Sequence, residues 1–383
     1  MTVEQQYSFC VMPWLRLPAQ RTFGLVSVAR LRDVLAEDDP RSETVGRIMS
    51  MYRGLGGVTL SPVVMWPTGT DPFELSRDDM DTVFAHRDWL SAGVLMGNEY
   101  CSPLDPPFTD ANADGYGQRF TIGTDHVGLI KRRRDGRAND IQRIADIVTQ
   151  MPLSASPAHQ FNADQSLLEA FAALPSRTDA LAERIESALP LFTQANRLSE
   201  RTTLAFDLVL FAAAFERLFD IHTPVAESLA DAVSTLFSSF TQGSSTWQNL
   251  AVRSGRLIPD SGPWVKRWIR EFYAHRSAIH GAAPPHSNDW PDLYHGLIAT
   301  EVFTLSVKVL LDRDGTRSLS PEEVLATDAL DDRVERLATT GTDVQAAWRD
   351  PYQAAQRRAM IAAAAQALSR QAGGQVPPVG GTI

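Results

Sequence analysis

Residues 262–281 read GPWVKRWIREFYAHRSAIHG. A proline near the start and a glycine at the end bracket one helix, because Pro suits the first turn and Gly suits the residue after the last. Trp264, Trp268, Phe272, Arg276 and His280 recur every four residues. At about 100° per residue they drift slowly around one stripe. Val265, Ile269 and Ile279 flank that stripe. The aromatic residues face a core, and Arg276 and His280 continue the same face. As i,i+4 neighbours their side chains can meet at one point in space. A structural reading stands beside this one: a His and an Arg in a last turn complement the helix dipole and cap free carbonyls.

Working outward, apolar residues at i, i+3 and i+4 spacing run through DALAERIESALPLFTQANRL, RTTLAFDLVLFAAAFERLFD, PVAESLADAVSTLFSSF, TWQNLAVRSGRL and WPDLYHGLIATEVFTLSVKVLL. Short Gly, Pro and Ser breaks separate them, which predicts an all-α bundle of antiparallel neighbours over 165–312. Ser320-Pro321-Glu322-Glu323 starts a further helix, with Ser as N-cap and acids in the first turn. Residues 313–370 are a C-terminal helical extension, and the Gly- and Pro-rich residues 371–383 a disordered tail. Residues 1–155 differ. YSFCVMPWLRL, TFGLVSVARL and GGVTLSPVVMWP read as strands, and RDDMDTVFAHRDWLSAGVLM as a helix capped by Ser76. QRFTIGTDHVGLIKRRRDG reads as a hairpin and ANDIQRIADIVTQM as a helix; a Pro- and Ser-rich linker follows. The fold class expected is α+β: an N-terminal mixed α/β domain, a helical bundle, and extra C-terminal helices.

The 383-residue chain carries a net charge of -10. That balance disfavours indiscriminate binding to polyanions, so a nucleic-acid function requires a local basic site. Lys131-Arg132-Arg133-Arg134 is the densest basic run, a solvated hairpin tip or a contact for an RNA backbone. The two cysteines, Cys10 and Cys101, form no CxxC pair, which fits a reducing cytoplasm. The N-terminus has neither a basic n-region nor a sustained apolar h-region, and no apolar run is long enough to span a membrane.

Several motifs fail on their own chemistry. Asp110-Ala-Asn112-Ala-Asp114-Gly115 opens like a calcium loop, but Thr121 stands where a bidentate Glu is needed. Gly54, Gly56 and Gly57 precede a strand-like run, whereas a dinucleotide loop follows a strand and opens a helix. His275, His280, His286 and His295 lie 5, 6 and 9 apart with no carboxylate pattern to complete a metal site. No metal and no cofactor is expected. Asp81, His86, Asp88, Asp125 and His126 are the titratable residues from which an unrelated N-terminal enzyme would have to be built.

Arg276 and His280 suit one reaction. Cleavage of RNA by its own 2′-hydroxyl needs proton transfer, which histidine performs near neutrality. It also needs a fixed charge on the phosphorane, which an arginine fork supplies. The segment FYAHRSAIHG resembles the end of the signature helix of HEPN domains, in particular the Apea-like group, with its Tyr, Arg-Ser and His-Gly. FAAAFERLFD is similar to that family's earlier apolar helix, here Phe215-Glu216-Arg217-Leu218. The family's pattern is Arg, four to six residues, then His; here three residues separate Arg276 from His280. The resemblance implies a metal-independent endoribonuclease, or a non-catalytic scaffold that binds RNA, nucleotide or a protein partner. It implies a homodimer in which two such helices face each other, and a role in antiviral defence or a toxin–antitoxin system with an antitoxin or other defence-system partner. His280 would transfer protons and Arg276 would hold the phosphate. Ser277 would orient the phosphate or the helix end, Tyr273 and His275 would stack on a base or form the rim, and Glu216 would anchor Arg276 or Arg217. Residues 1–155 would be a sensor or specificity module.

Overall fold

Apolar and β-branched runs in the first third of the chain assemble into one antiparallel sheet. Its strands are β1 (Gln6–Met12), β2 (Arg21–Phe23), β3 (Val26–Arg30), β5 (Val63–Pro67), β6 (Tyr116–Thr121), β7 (His126–Arg133) and β8 (Gly136–Arg143). They lie in the order β2-β3-β5-β1-β6-β7-β8, while β4 (Tyr52–Arg53) and β9 (Thr149–Gln150) form a separate parallel pair. Cys10 of β1 sits opposite Met65 on one side and Gly117 on the other. Phe9, Cys10, Val11 and Met12 are all buried; buried residues in unbroken succession mark a strand covered on both faces. Burial pushes the Cys10 thiol up to about 12, so it is an inert core group. The computed structural model describes residues 5–15, 17, 19–53, 62–97, 115–133, 136–150, 164–196, 203–222, 225–240, 263–279, 281, 290 and 292–340. His280, His286, Cys101, Arg134, Gly54, Gly56 and Gly57, the calcium-like run 110–114, the linker, the expected helix at 246–257 and the chain after 340 lie outside the described residues.

The short helices α1 (Leu31–Val34) and α2 (Ser42–Met49) precede the long α3 (Arg77–Gly97). Ser76 caps α3 as expected: the Asp79 N–H donates to Ser76 Oγ at 3.1 Å, and the Ser76 N–H donates to Asp79 Oδ2 at 2.8 Å. This reciprocal pair satisfies two otherwise orphaned amides. One expected element is corrected. The described residues 138–150 do not form an α-helix: β8 pairs with β7 from Gly136 to Arg143, a 3₁₀ turn covers Ile144–Asp146, and β9 follows. Ile141, Ile144 and Ile147 are three apart and imitate a helical stripe, but Ile141 is 77% exposed while Ile144 and Ile147 are buried. The backbone ladder offered by β7 overrides the local spacing.

The chain is an α+β protein, an antiparallel sheet followed by helices, and its packing divides it into two compact units. The first holds the sheet, α1–α3, α4 (Gln165–Ala173), α5 (Ala180–Ala195), α6 (Leu204–Phe219) and Asp314–Arg317. The division falls after α6. A Cβ on Gly93 of α3 would stand 2.4 Å from Leu168 Cδ2 of α4, so the glycine permits the close approach that draws α4 into this unit. Arg317 pairs with Asp164 at the N-cap of α4, and Arg177 pairs with Asp179 at the N-cap of α5 and with Asp314.

The second unit contains α7 (Val225–Phe237), α8 (Trp264–Ile279), α9 (Asp292–Arg313) and α10 (Pro321–Thr340). Of the described helices, α9 is the one long and apolar enough to cross a membrane, and 83% of its 294–313 stretch is buried inside the protein, as befits a core helix. It nevertheless carries charge. Glu301 pairs with Arg333 of α10, and Lys308 Nζ meets Glu323 Oε1 at 2.8 Å, all four residues buried. Glu323 also completes the capping box with Ser320 at the start of α10.

Replacing Arg333 with Met strands the Glu301 carboxylate in the core and should destabilise the fold by about 3–5 kcal/mol. Adding Glu301→Leu should recover most of that loss. Urea unfolding of the single and double variants measures both, and equal stabilities of wild type and single variant would refute the pairing.

Candidate functional site

The helix that carries the candidate residues is held by its buried groups. Pro263 precedes α8, and the Arg267 N–H donates to its carbonyl at 3.2 Å. The free amides of the first turn meet Asp331 of α10: Val265 N–H donates to Asp331 Oδ1 at 2.9 Å. Asp331 is 4% exposed. Its other oxygen, Oδ2, has no hydrogen-bond partner among the described residues, and Asp331 lines a recess with Ser234, Phe237 and Thr327. Burial pushes this carboxyl up to about 8, against the lowering effect of the α8 amides. At the far end Gly281 has φ +87°, and its N–H donates to Ala278 O at 3.0 Å, which is the glycine stop the sequence announces.

Between these ends the helix has two engaged sides. Trp264, Trp268, Ile269 and Phe272 are buried, as the four-residue spacing requires. On the α7 side Lys266 Nζ reaches Asp231 Oδ1 at 2.5 Å. There too, Arg270 makes a two-pronged contact with Glu227, Nε to Oε1 and Nη2 to Oε2, both at 2.8 Å. On the α9 side Trp268 Nε1–H donates to His295 Nδ1 at 3.1 Å. Glu271 Oε1 accepts the Trp290 backbone N–H at 3.2 Å and lies 3.9 Å from His295 Nε2. The rings of His275 and His295 are stacked, with centroids 5.3 Å apart and planes 25° from parallel. Burial, and then the proximity of His275, hold the His295 imidazole down to about 3.

The expected site residues are distributed as follows. Arg276 and His275 are half-buried in the last turn, where α8 leaves the core, and Ile279 is exposed. Tyr273 is 4% exposed, with its ring edge-on to Phe272, so it is a core residue and not a rim. Ser277 Oγ–H donates to Tyr273 O at 2.8 Å within its own helix. Glu216 is on α6 of the first unit while Arg276 is on α8 of the second, so the two segments that carry the family resemblance belong to different units. Lys131, Arg132 and Arg133 end β7, with Arg132 in register opposite Arg137 of β8. The N-terminal candidates are committed elsewhere. His86 is buried between Thr82 O and the Leu25 N–H, Arg87 donates to Asp88, and Asp125 meets His126 at an exposed position. Among the described residues no three or more His, Cys, Asp or Glu come together in a way that could hold a metal ion.

Sequence reasoning weighed His295 only as a metal ligand and gave Glu271 and Asp331 no role. Nothing local links His295 to His275, since they sit on different helices; Glu271 was readable as the i−4 neighbour of His275. An Arg followed by four residues and then His does occur as Arg270 and His275, but Arg270 is tied to Glu227. No family model, no curated protein and no solved structure matches this chain.

The Asp331 carboxyl gives the second unit a pH dependence. Its ordinary value is 3.8 and its folded value about 8. Between these limits the folded chain keeps a proton that the unfolded chain releases. Stability therefore falls as pH rises through the window, by about 1.4 kcal/mol per pH unit, and levels off above it. Asn at this position keeps an acceptor for the Val265 amide and cannot ionise. The unfolding free energy of Asp331→Asn should thus gain on wild type steadily from about pH 5 to about pH 8; parallel curves would mean that Asp331 is ionised throughout.

Proposed function

We propose that the chain is a metal-independent endoribonuclease of the HEPN type, working as a homodimer in antiviral defence or a toxin–antitoxin system. The observation that carries the reading is the emergence of α8 from the core. The core-facing residues of the helix are buried through Tyr273, and from Ala274 to Ile279 none is buried, His275 and Arg276 being half-buried, so a charged turn is presented on a rigid stem. In this reading Arg276 holds the scissile phosphate by its planar fork. His280 transfers a proton as the 2′-hydroxyl attacks, giving a 2′,3′-cyclic phosphate and a 5′-hydroxyl. Lys131, Arg132, Arg133 and Arg134 supply backbone contacts against a chain that is otherwise acidic.

A second reading is supported by the short Arg276–His280 spacing and by the commitment of the Ser277 hydroxyl to Tyr273 O. On that reading the chain is a non-catalytic scaffold that binds RNA, a nucleotide or a protein partner through the same turn.

The deciding experiment is cleavage of a mixed RNA pool in EDTA by the full chain beside Arg276→Ala and His280→Ala. Wild type should cleave, and each variant should lose at least about a hundredfold in rate while unfolding at the wild-type temperature. RNA left intact by all three proteins rejects the nuclease and leaves the scaffold.

A further inference from the structure

Successive residues of a strand alternate between the two faces of a sheet, and at the β6–β7–β8 end the two faces differ. One is closed. Gln118 Nε2–H donates to the Tyr52 hydroxyl at 2.7 Å, and Phe120 and Val127, paired in register, are buried on that side. The other is covered only in part. A Cβ on Gly117 would stand 2.9 Å from Ile130 Cβ and 3.5 Å from Phe84 Cζ of α3, so the helix reaches that pair. Two residues further along, Arg119, Gly128 and Ile141 form a row across the three strands. There Arg119 and Gly128 are half-buried and Ile141 is 77% exposed. The next row sets His126 opposite Arg143, both exposed. In the other direction, beyond Ile130, positions 132 and 137 are paired on this same face, and both are arginine. Among the described positions of β6, β7 and β8 on this face, none is Asp or Glu.

The charge of this face is also uncommitted. The chain carries a net charge of -10, and its carboxylates hold Arg30, Arg41, Arg87, Arg177, Arg270 and Arg333. Among the described residues Arg119 and Arg143 form no ion pair; Asp125, in the turn before β7, meets His126 instead, Oδ1 to Nδ1 at 2.9 Å. Arginines kept apart from a surplus of carboxylates leave a locally positive field in an acidic protein. The bare Gly128 between Arg119 and Ile141 keeps the middle of the row low, so an extended anion can lie across it. We propose that the open face of β6–β8 binds the phosphate backbone of RNA, with Arg119 and Arg143 as charge contacts and Ile141 packed against sugar or base. This rests on RNA as the ligand in the reading above, and it does not require cleavage. Phosphate contacts position a nucleic acid without reading it, so binding should tolerate changes of sequence and weaken steeply with salt.

Two neighbouring substitutions isolate the face. Ile141→Glu and Gln142→Glu change the net charge equally at exposed positions, but alternation puts Ile141 on the open face and Gln142 on the other. Affinity of the full chain is read by fluorescence anisotropy with a labelled single-stranded RNA of mixed sequence. Its 2′-hydroxyls are methylated, so it cannot be cut by attack of a 2′-oxygen. Ile141→Glu should bind at least about tenfold more weakly than wild type, because it sets a like charge against the backbone. Gln142→Glu should stay within about twofold of wild type. Arg143→Gln should weaken binding to every sequence alike and reduce the slope of log affinity against log salt by about one. Thermal unfolding at the wild-type temperature shows that each variant is folded.

Equal losses in Ile141→Glu and Gln142→Glu overturn the proposal, since net charge alone would then explain them. So do wild-type affinity and salt slope in Arg143→Gln, or a wild type that binds no RNA. Tighter binding of the same sequence as DNA overturns the choice of RNA. The nuclease reading fails separately: unmodified RNA that is bound through this face and left intact rejects cleavage and keeps the surface, whereas cleavage with wild-type binding in Ile141→Glu and Arg143→Gln keeps the nuclease and rejects the surface.

Discussion

A helix buried along most of its length has to find partners for every polar group it carries, and α9 carries Glu301, Lys308 and His295. An uncompensated charge in a core costs several kcal/mol, and an unpaired buried polar group about 1–3. The partners come from two of the helices that pack on it, α8 and α10. Arg333 and Glu323 of α10 neutralise Glu301 and Lys308, and Trp268 of α8 donates to His295. Glu301 pairs with the later residue of α10 and Lys308 with the earlier one, so the two helices run antiparallel. A slip of one turn along the groove would break both pairs at once. Hydrophobic packing alone would tolerate that slip far better, since one apolar ridge fits a groove much as the next does. The buried pairs act on register.

Polar groups without a charge are settled more locally. Ser306 Oγ–H donates to Val302 O and Thr327 Oγ1–H to Glu323 O, each four residues back along its own helix. Such bonds satisfy a buried hydroxyl without specifying a neighbour. Inter-helix specificity in the second unit therefore rests on a few long side chains, together with the Asp331 carboxyl on the amides of α8.

Local signals in the sequence were legible where the chemistry is local. Ser76 with Asp79 and Ser320 with Glu323 state the starts of α3 and α10 through capping boxes, and Pro263 and Gly281 bracket α8 for reasons confined to one turn. The four-residue stripe of α8 correctly places Trp264, Trp268 and Phe272 in a core. Misreadings arise where a distant partner decides. β8 exists because β7 offers it eight residues of ladder, against an isoleucine spacing that is helical by accident. Tyr273 sits beside the polar end of α8 and reads as a base-stacking or a rim residue, and the packing around Phe272 buries it. His295 reads as one more histidine after a proline-rich loop, because the indole that fixes its tautomer is 27 residues upstream. The grouping of α4–α6 with the sheet depends on contacts such as that of Gly93 with Leu168, which no window of sequence contains.

Helix α8 joins these levels. Its first turn is capped by Asp331, its middle is pinned through Trp268 and Glu271, and its flank is held by Lys266 and Arg270, which pair with Asp231 and Glu227 of α7. Only after Tyr273 does the helix leave the core. A stem tied at so many points has little rotational freedom, so His275 and Arg276 are aimed by the core and not by their own rotamers alone. Groups that handle protons and phosphates need this, because a misplacement of an ångström costs rate far out of proportion to its energy. The same rigidity would serve a binding scaffold, which is why the rigid stem by itself does not choose between cleavage and binding. His295, neutral and fixed in one tautomer by the Trp268 indole, stands behind the His275 ring, so the last described turn of α8 is braced against α9 as well as along its own stem.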